Sequence, residues 1–165
     1  MALRPIVSFP DARLERATAP VTAFDADLAA LAADLLATLR AAPGVGITAC
    51  HVGVPLRLYV LELEPGAVAI YVNPVILSAS PERIRHTEGS VSMPGATEEV
   101  ERAARVRITY QDLEGHVLEE EAEGFRAVCH QHEIDQLDGI FWLRRLSRLK
   151  RERVIKRYAK LKAGR

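Results

Sequence analysis

His130-Gln131-His132-Glu133-Ile134-Asp135-Gln136-Leu137-Asp138-Gly139 is the stretch whose reading decides the fold. It reads as the last turns of a helix closed by a glycine. With histidine at position 136 it would be H-E-x-x-H, two imidazoles one helical turn apart with a glutamate as general base. Position 136 is glutamine. From about Gly124 to Asp138, Phe125, Val128, Cys129, His132 and Gln136 recur at spacings of three and four and share one helix face. His132 and Gln136 therefore continue an apolar stripe into the core, where an unpaired polar group costs on the order of 1–3 kcal/mol. Polar partners must face them. His130 lies roughly 160° round the helix from His132 and is off that face, while His86 and His116 sit in polar, turn-like contexts that read as surface.

Upstream, strand-like runs dominate. Leu56 to Leu63 and Ala67 to Val72 flank Glu64-Pro65-Gly66 as a hairpin, and Asn73-Pro74 is read as a turn into Val75-Ile76-Leu77. Val106, Ile108 and Tyr110 alternate with polar residues, and Asp112-Leu113-Glu114-Gly115 turns the chain toward Val117-Leu118. Before the strands, Leu28, Leu31, Leu35 and Leu39 mark an amphipathic helix over about Asp25 to Arg40, broken by Pro43-Gly44. Ile6-Val7-Ser8-Phe9-Pro10 reads as a clamp or edge segment. The class is α+β: antiparallel sheets around a central motif-bearing helix, with N-terminal and C-terminal helices, as one domain over residues 1–165.

The net charge of zero hides an asymmetry. Residues 144 to 165 carry eleven Lys and Arg against one acid, Glu152, which leaves eleven basic and twenty-one acidic residues in the remainder of the 22 and 22. A basic helix at about 146–162, with Leu146, Leu149, Val154, Tyr158 and Leu161 on its apolar side, points to a polyanion such as ribosomal RNA or to a solvated face that balances its own body. No run approaches the roughly 18 apolar residues of a membrane span. Two cysteines, Cys50 and Cys129, make no disulfide framework, so the expectation is a reducing cytoplasm and cysteines that pack as small hydrophobes. Oligomeric state is open.

Three motifs in order carry a resemblance. Gly44-Val45-Gly46-Ile47-Thr48-Ala49-Cys50-His51 is similar to G-x-G-x-A-A-x-Q, Glu88-Gly89-Ser90-Val91-Ser92 to E-G-C-L-S, and Gln131 to Gly139 to Q-H-E-x-D-H-L-x-G. These are the three motifs of the peptide deformylases, and the likeness spans nearly the whole chain. The resemblance implies a divalent iron or zinc held by the cysteine of the second motif and two histidines of the third. It further implies a metal-bound water that attacks the formyl group of N-formylmethionine, a glutamate that moves the proton, and a glutamine and a backbone N–H that hold the oxyanion. Carried over, His132 is the retained ligand and Glu133 the acid/base, Val91 supplies the backbone donor, and Gly46, Ile47, Val128 and Cys129 line the methionine pocket. The basic C-terminal helix is placed for contact with the ribosome.

Three of these groups differ. The cysteine is Ser90, the second histidine is Gln136, and the glutamine is His51. A catalytic zinc or iron site needs about three imidazole, thiolate or carboxylate donors, and a neutral hydroxyl and a neutral amide are poor replacements. The leading expectation is a deformylase-like protein without metal or formyl-removing activity, retained to bind a formyl-Met or Met peptide end or to regulate. In it Ser90, Gln136, His132 and Glu133 satisfy one another. The alternative is a rewired hydrolase in which His51, His132 and Glu133 hold iron, zinc or nickel and Gln136 takes the oxyanion contact. A third reading makes Ser90 a nucleophile activated by His132, with Glu133 orienting the imidazole. Gly95-Ala96-Thr97-Glu98-Glu99 gives the cleft an acidic rim in place of the arginine that the resemblance implies there.

Overall fold

Asp25 ends the extended N-terminal chain and starts α1 (Ala26–Ala41): its carboxylate accepts the Leu28 backbone N–H at 3.0 Å, satisfying a donor that a helix start leaves free. The computed structural model describes residues 1–164. Leu28, Leu31, Leu35 and Leu39 are all buried, each contributing roughly 2 kcal/mol of apolar burial. They pack with Ile47, Leu58 and Val60 into one core beneath the sheet.

Two antiparallel sheets form the body. Strands β1 (Gly46–Thr48), β2 (Leu58–Glu62), β3 (Val68–Ala79), β6 (Arg105–Gln111) and β7 (Val117–Glu123) lie in the order β1-β2-β3-β6-β7. Strands β4 (Arg83–Glu88) and β5 (Glu98–Ala103) pair as a separate ribbon. The expected turn at Asn73-Pro74 is instead a bulge inside β3. The register with β6 shifts between Val72 and Val75, and Asn73 takes a φ of 50°. A proline has no N–H for the ladder and is tolerated at such an irregularity. The Asn73 side chain bonds Val21 and Gln111 and holds the strand together across it.

The ribbon β4–β5 was not legible as strands, and His86 lies in β4 rather than in a turn. Ile84 is the sole aliphatic residue of β4, so no apolar alternation announces it. The His86 ring packs against Phe125, with centroids 4.6 Å apart.

Helix α2 (Gly124–Leu137) crosses between these layers and is buried on nearly every side, at Ala127–His130 and again at Glu133–Leu137. His130 does turn away from His132, yet it is fully buried in a second core. There its Nδ1 meets the Tyr59 hydroxyl at 2.7 Å and its Nε2 meets Glu120. Gly139 ends the helix with φ 78°, and a Cβ there would stand 2.9 Å from the backbone of Glu15–Ala17. Only glycine lets that crossing close.

The first ten residues clamp the motif loops together. The Val7 N–H donates to the His51 carbonyl at 2.7 Å, and the Phe9 N–H donates to the Ser92 carbonyl at 2.9 Å. Helix α3 (Arg148–Ala163) buries Val154 and Tyr158 but leaves Leu149 and Leu161 exposed, so its apolar stripe is narrower than the spacing predicts. Leu146 is buried from the loop before it.

Candidate functional site

The three motifs meet at one cavity of about 690 Å³ between β1, the loop after β4 and α2. Gly46 and His51 come from the first motif, Ser90 and Val91 from the second, and Val128, Cys129, His132 and Glu133 from α2. Two expected members are elsewhere. Ile47 is fully buried in the α1 core, because alternate residues of a strand point to opposite faces. Gln136 is turned out of the cavity, and its Nε2 donates to the Leu14 carbonyl at 2.7 Å.

Glu88 and His132 line the cavity, and an ion network lies behind them. Arg102 in β5 grips Glu88 through two bonds of 2.7 and 2.8 Å and reaches Asp135 at 2.7 Å, while Arg145 caps Asp135 from outside. Burial alone would raise the Glu88 carboxyl. The bonds from Arg102 and His132 outweigh it and hold the group near 2. Glu88 is therefore an anion, and the His132 Nδ1–H donates to its Oε1 at 2.8 Å. Burial works against charge on His132, but the Glu88 bond and the nearby Glu133 raise its pKa overall. Its Nε2 is left facing Glu133 Oε1 at 3.8 Å.

Glu133 is buried, and its Oε2 has no hydrogen-bond partner among the described residues. Burial is the main cause that pushes its pKa up to about 7, with His132 pulling the other way. Gly46 makes room for it: a Cβ at 46 would approach Glu133 Oε1 to 3.0 Å and Leu61 to 2.8 Å. Opposite, His51 closes a short 3-10 turn, Ala49–Val52, whose start is capped by Thr48. The Thr48 backbone N–H donates to His51 Nδ1 at 2.9 Å. Burial, with the charge of His132, drives the His51 pKa down to about 3, so the ring is neutral. Its Nε2 is buried and has no hydrogen-bond partner among the described residues. Cys50 and Cys129 are held as thiols by burial, at about 11 and about 12.

The expected mutual satisfaction of Ser90, Gln136, His132 and Glu133 is therefore not what forms. Gln136 serves Leu14, the Ser90 hydroxyl accepts the Ser92 N–H at 3.1 Å, and His132 is held by Glu88. The donor set does not fit a divalent metal. Among the described residues no three His, Cys, Asp or Glu side chains are placed to hold one, and the His51–His132–Glu133 arrangement is included in that finding. Nor is Ser90 hydrogen-bonded to His132 among the described residues, and the carboxylate that orients the imidazole is Glu88, not Glu133.

Residue reasoning passed over Glu88, Arg102, Thr48 and Leu14 as parts of the site. Glu88 stood inside a quoted motif, and Thr48 stands three residues before His51, the spacing of a capping box. Nothing local marks Arg102 or the Leu14 carbonyl, which act across the fold.

The chain is similar to known proteins along nearly its whole length. The sequence model described as Polypeptide deformylase matches residues 3–152. A "Peptide deformylase-like" protein of Bradyrhizobium diazoefficiens is 62% identical over 165 residues, covering 99% of this chain and 97% of that one. A "Peptide deformylase" of Afipia carboxidovorans is 46% identical over 164 residues, covering 97% and 96%. Among solved structures, a peptide deformylase from Legionella pneumophila superposes with a TM-score of 0.93 at 37% identity, over 98% of this chain and 96% of that one. With three motifs converging on one cavity and likeness along its whole length, this chain belongs to the polypeptide deformylase family.

Proposed function

We propose that this chain is a binding member of its family, taking a methionine-type peptide end into the cavity without hydrolysing the formyl group by metal chemistry. The observation that carries the reading is the bond from Gln136 to the Leu14 carbonyl. A side chain at a ligand position has been turned into a structural clasp, and the hydroxyl of Ser90 is likewise committed to the Ser92 N–H. The cavity itself supports binding: Val91, Val128 and Cys129 give it apolar walls, and buried polar atoms of His51 and Glu133 line its depth. Calorimetry with formyl-Met-Ala-Ser and Met-Ala-Ser, run beside a formate-release assay in buffer with iron, zinc or nickel, tests it. Binding without formate release is expected; sustained release in any of the metals refutes it.

The second part of the reading concerns α3, where Arg153, Lys156 and Lys160 are exposed on one basic helix. They suit a polyanion, and ribosomal RNA in the cytoplasm is the partner we propose. No helix among the described residues is long and apolar enough to cross a membrane. Reversing these three charges is expected to weaken ribosome co-sedimentation, and unchanged sedimentation counts against the contact.

A further inference from the structure

Helix α3 supports the cavity rim from outside. Its Val154 and Tyr158 pack in one core with Met93, Ala96 and Val100, which anchors most of the rim in apolar contact. The outer corner, residues 95–97, lines the cavity and is held by more exposed groups. A Cβ at Gly95 would stand 3.2 Å from Leu161 Cδ1, and Leu161 is itself exposed. The Arg157 guanidinium donates to the Thr97 carbonyl and stands 3.6 Å from the Glu98 carboxylate. Glu98 opens β5 and pairs across the ribbon with Glu88, the carboxylate that orients His132. One arginine of α3 is thereby connected to the depth of the cavity.

The same arginine belongs to the basic face. Arg153, Arg157 and Lys160 are all exposed, and their spacings of four and three residues put them on one side of the helix. A polyanion laid along that side meets Arg157, whose side chain is 53% exposed, between two other cations. Arg157 holds the rim through a bond to a neutral carbonyl and an ion pair beyond hydrogen-bond reach, and a phosphate oxygen is the stronger partner. Arg145 is also half exposed, but two charged bonds of 2.8 Å tie it to Asp135, so it yields less readily. Phosphate beside Arg157 is also repelled by Glu98, which opposes keeping both partners at once. We infer that Arg157 is a latch shared by the cavity rim and the polyanion face: a polyanion on α3 draws the guanidinium off Thr97, frees residues 95–97, and weakens the cavity's hold on its ligand. Such coupling is reciprocal, so a ligand packed against the closed rim weakens polyanion binding by the same factor. This inference rests on the polyanion reading above and adds to it a regulation of the cavity.

The test joins RNA binding to amide hydrogen exchange of the rim in the full chain. The probe is a fluorescein-labelled poly(U) RNA of about 20 nucleotides, with binding read by anisotropy at low salt. Saturating RNA is expected to speed exchange over residues 95–98 by about fivefold or more, including the Ala96 N–H that donates to the Met93 carbonyl at 3.3 Å. Arg157→Leu is expected to show that faster exchange without RNA and no further rise with it, while losing only about threefold in RNA affinity. Arg153→Gln is expected to weaken RNA binding to a similar degree and to leave rim exchange without RNA as in the parent. Calorimetry with formyl-Met-Ala-Ser is expected to give affinity at least about threefold weaker in the presence of RNA. RNA bound with unchanged rim exchange overturns the latch and leaves the polyanion contact standing. Equal exchange in Arg157→Leu and the parent, or equal peptide affinity with and without RNA, overturns it as well. With no RNA bound, the latch and the polyanion reading fall together.

Discussion

Replacing Glu133 with glutamine removes an ionisation that the fold opposes, and the effect has a definite sign. Burial lifts the Glu133 pKa from an ordinary 4.5 to about 7, so between those values the folded chain holds a proton that the unfolded chain has released. Stability therefore falls as pH rises through that window. At ~1.4 kcal/mol per pH decade, the folded state of the parent carries about 3 kcal/mol of penalty above pH 7 that is absent near pH 4. Glu133→Gln keeps the size and the hydrogen-bonding ends of the side chain and loses the penalty. Urea unfolding of parent and variant at pH 4.5 and pH 8.5 reads the difference directly. His132 also titrates and its raised pKa gives a loss of stability with the same sign; Glu133 is one cause of that rise, so the comparison reads position 133 together with its coupling to His132. The variant is expected to gain about 2–3 kcal/mol on the parent between the two pH values. An equal gap at both pH values would mean that burial does not outweigh the pull of His132 on Glu133.

Other substitutions probe the frame around it. Arg102→Leu leaves Glu88 and Asp135 as buried carboxylates without their shared cation and is expected to cost about 3–5 kcal/mol in urea unfolding. A loss below about 1 kcal/mol would mean that the network contributes little. Gly46→Ala drives a methyl to 2.8 Å from Leu61 and 3.0 Å from Glu133, for an expected cost of about 1–3 kcal/mol in thermal unfolding; an unchanged melting temperature contradicts the close approach. Ser90→Cys with Gln136→His restores the donor types that the resemblance implies, and elemental analysis is expected to find close to one transition metal per chain there. The parent and either single variant are expected to hold far less. A metal-free double variant would place the obstacle in the scaffold rather than in the ligands.

The sequence was most legible where one periodicity governs a whole element. The leucines of α1 and the stripe Val128, Cys129, His132 of α2 go where their spacing sends them. The ribbon β4–β5 escaped because its residues are mainly charged and its pairing is decided by a partner strand, not by an apolar face. Position 136 shows the same limit inside the site. Helical spacing places Gln136 near the face of His132, but its long side chain rotates toward whichever acceptor lies in reach, and the carbonyl of Leu14 is supplied from 122 residues away. His130 escaped for a related reason: a helix enclosed by two cores has no outer face, so being off one inward face still means being buried. The motifs announced the cavity and most of its walls. Its internal bonds depend on Glu88, Arg102, Thr48 and Leu14; capping-box spacing ties Thr48 to His51, and no local pattern ties the other three to the histidines.

The bond between Gln136 and Leu14 also makes the sequence change directional. Leu14 is buried, and its carbonyl has the amide as a partner. A histidine at 136 that aims into the cavity abandons that carbonyl, at a cost of about 1–3 kcal/mol, and meets a serine hydroxyl rather than a thiolate when it arrives. A chain drifting back by single substitutions thus loses stability before it regains any coordination. The fold works as a ratchet: each replacement at this site has been taken up by a neighbour, and the neighbour now resists its return.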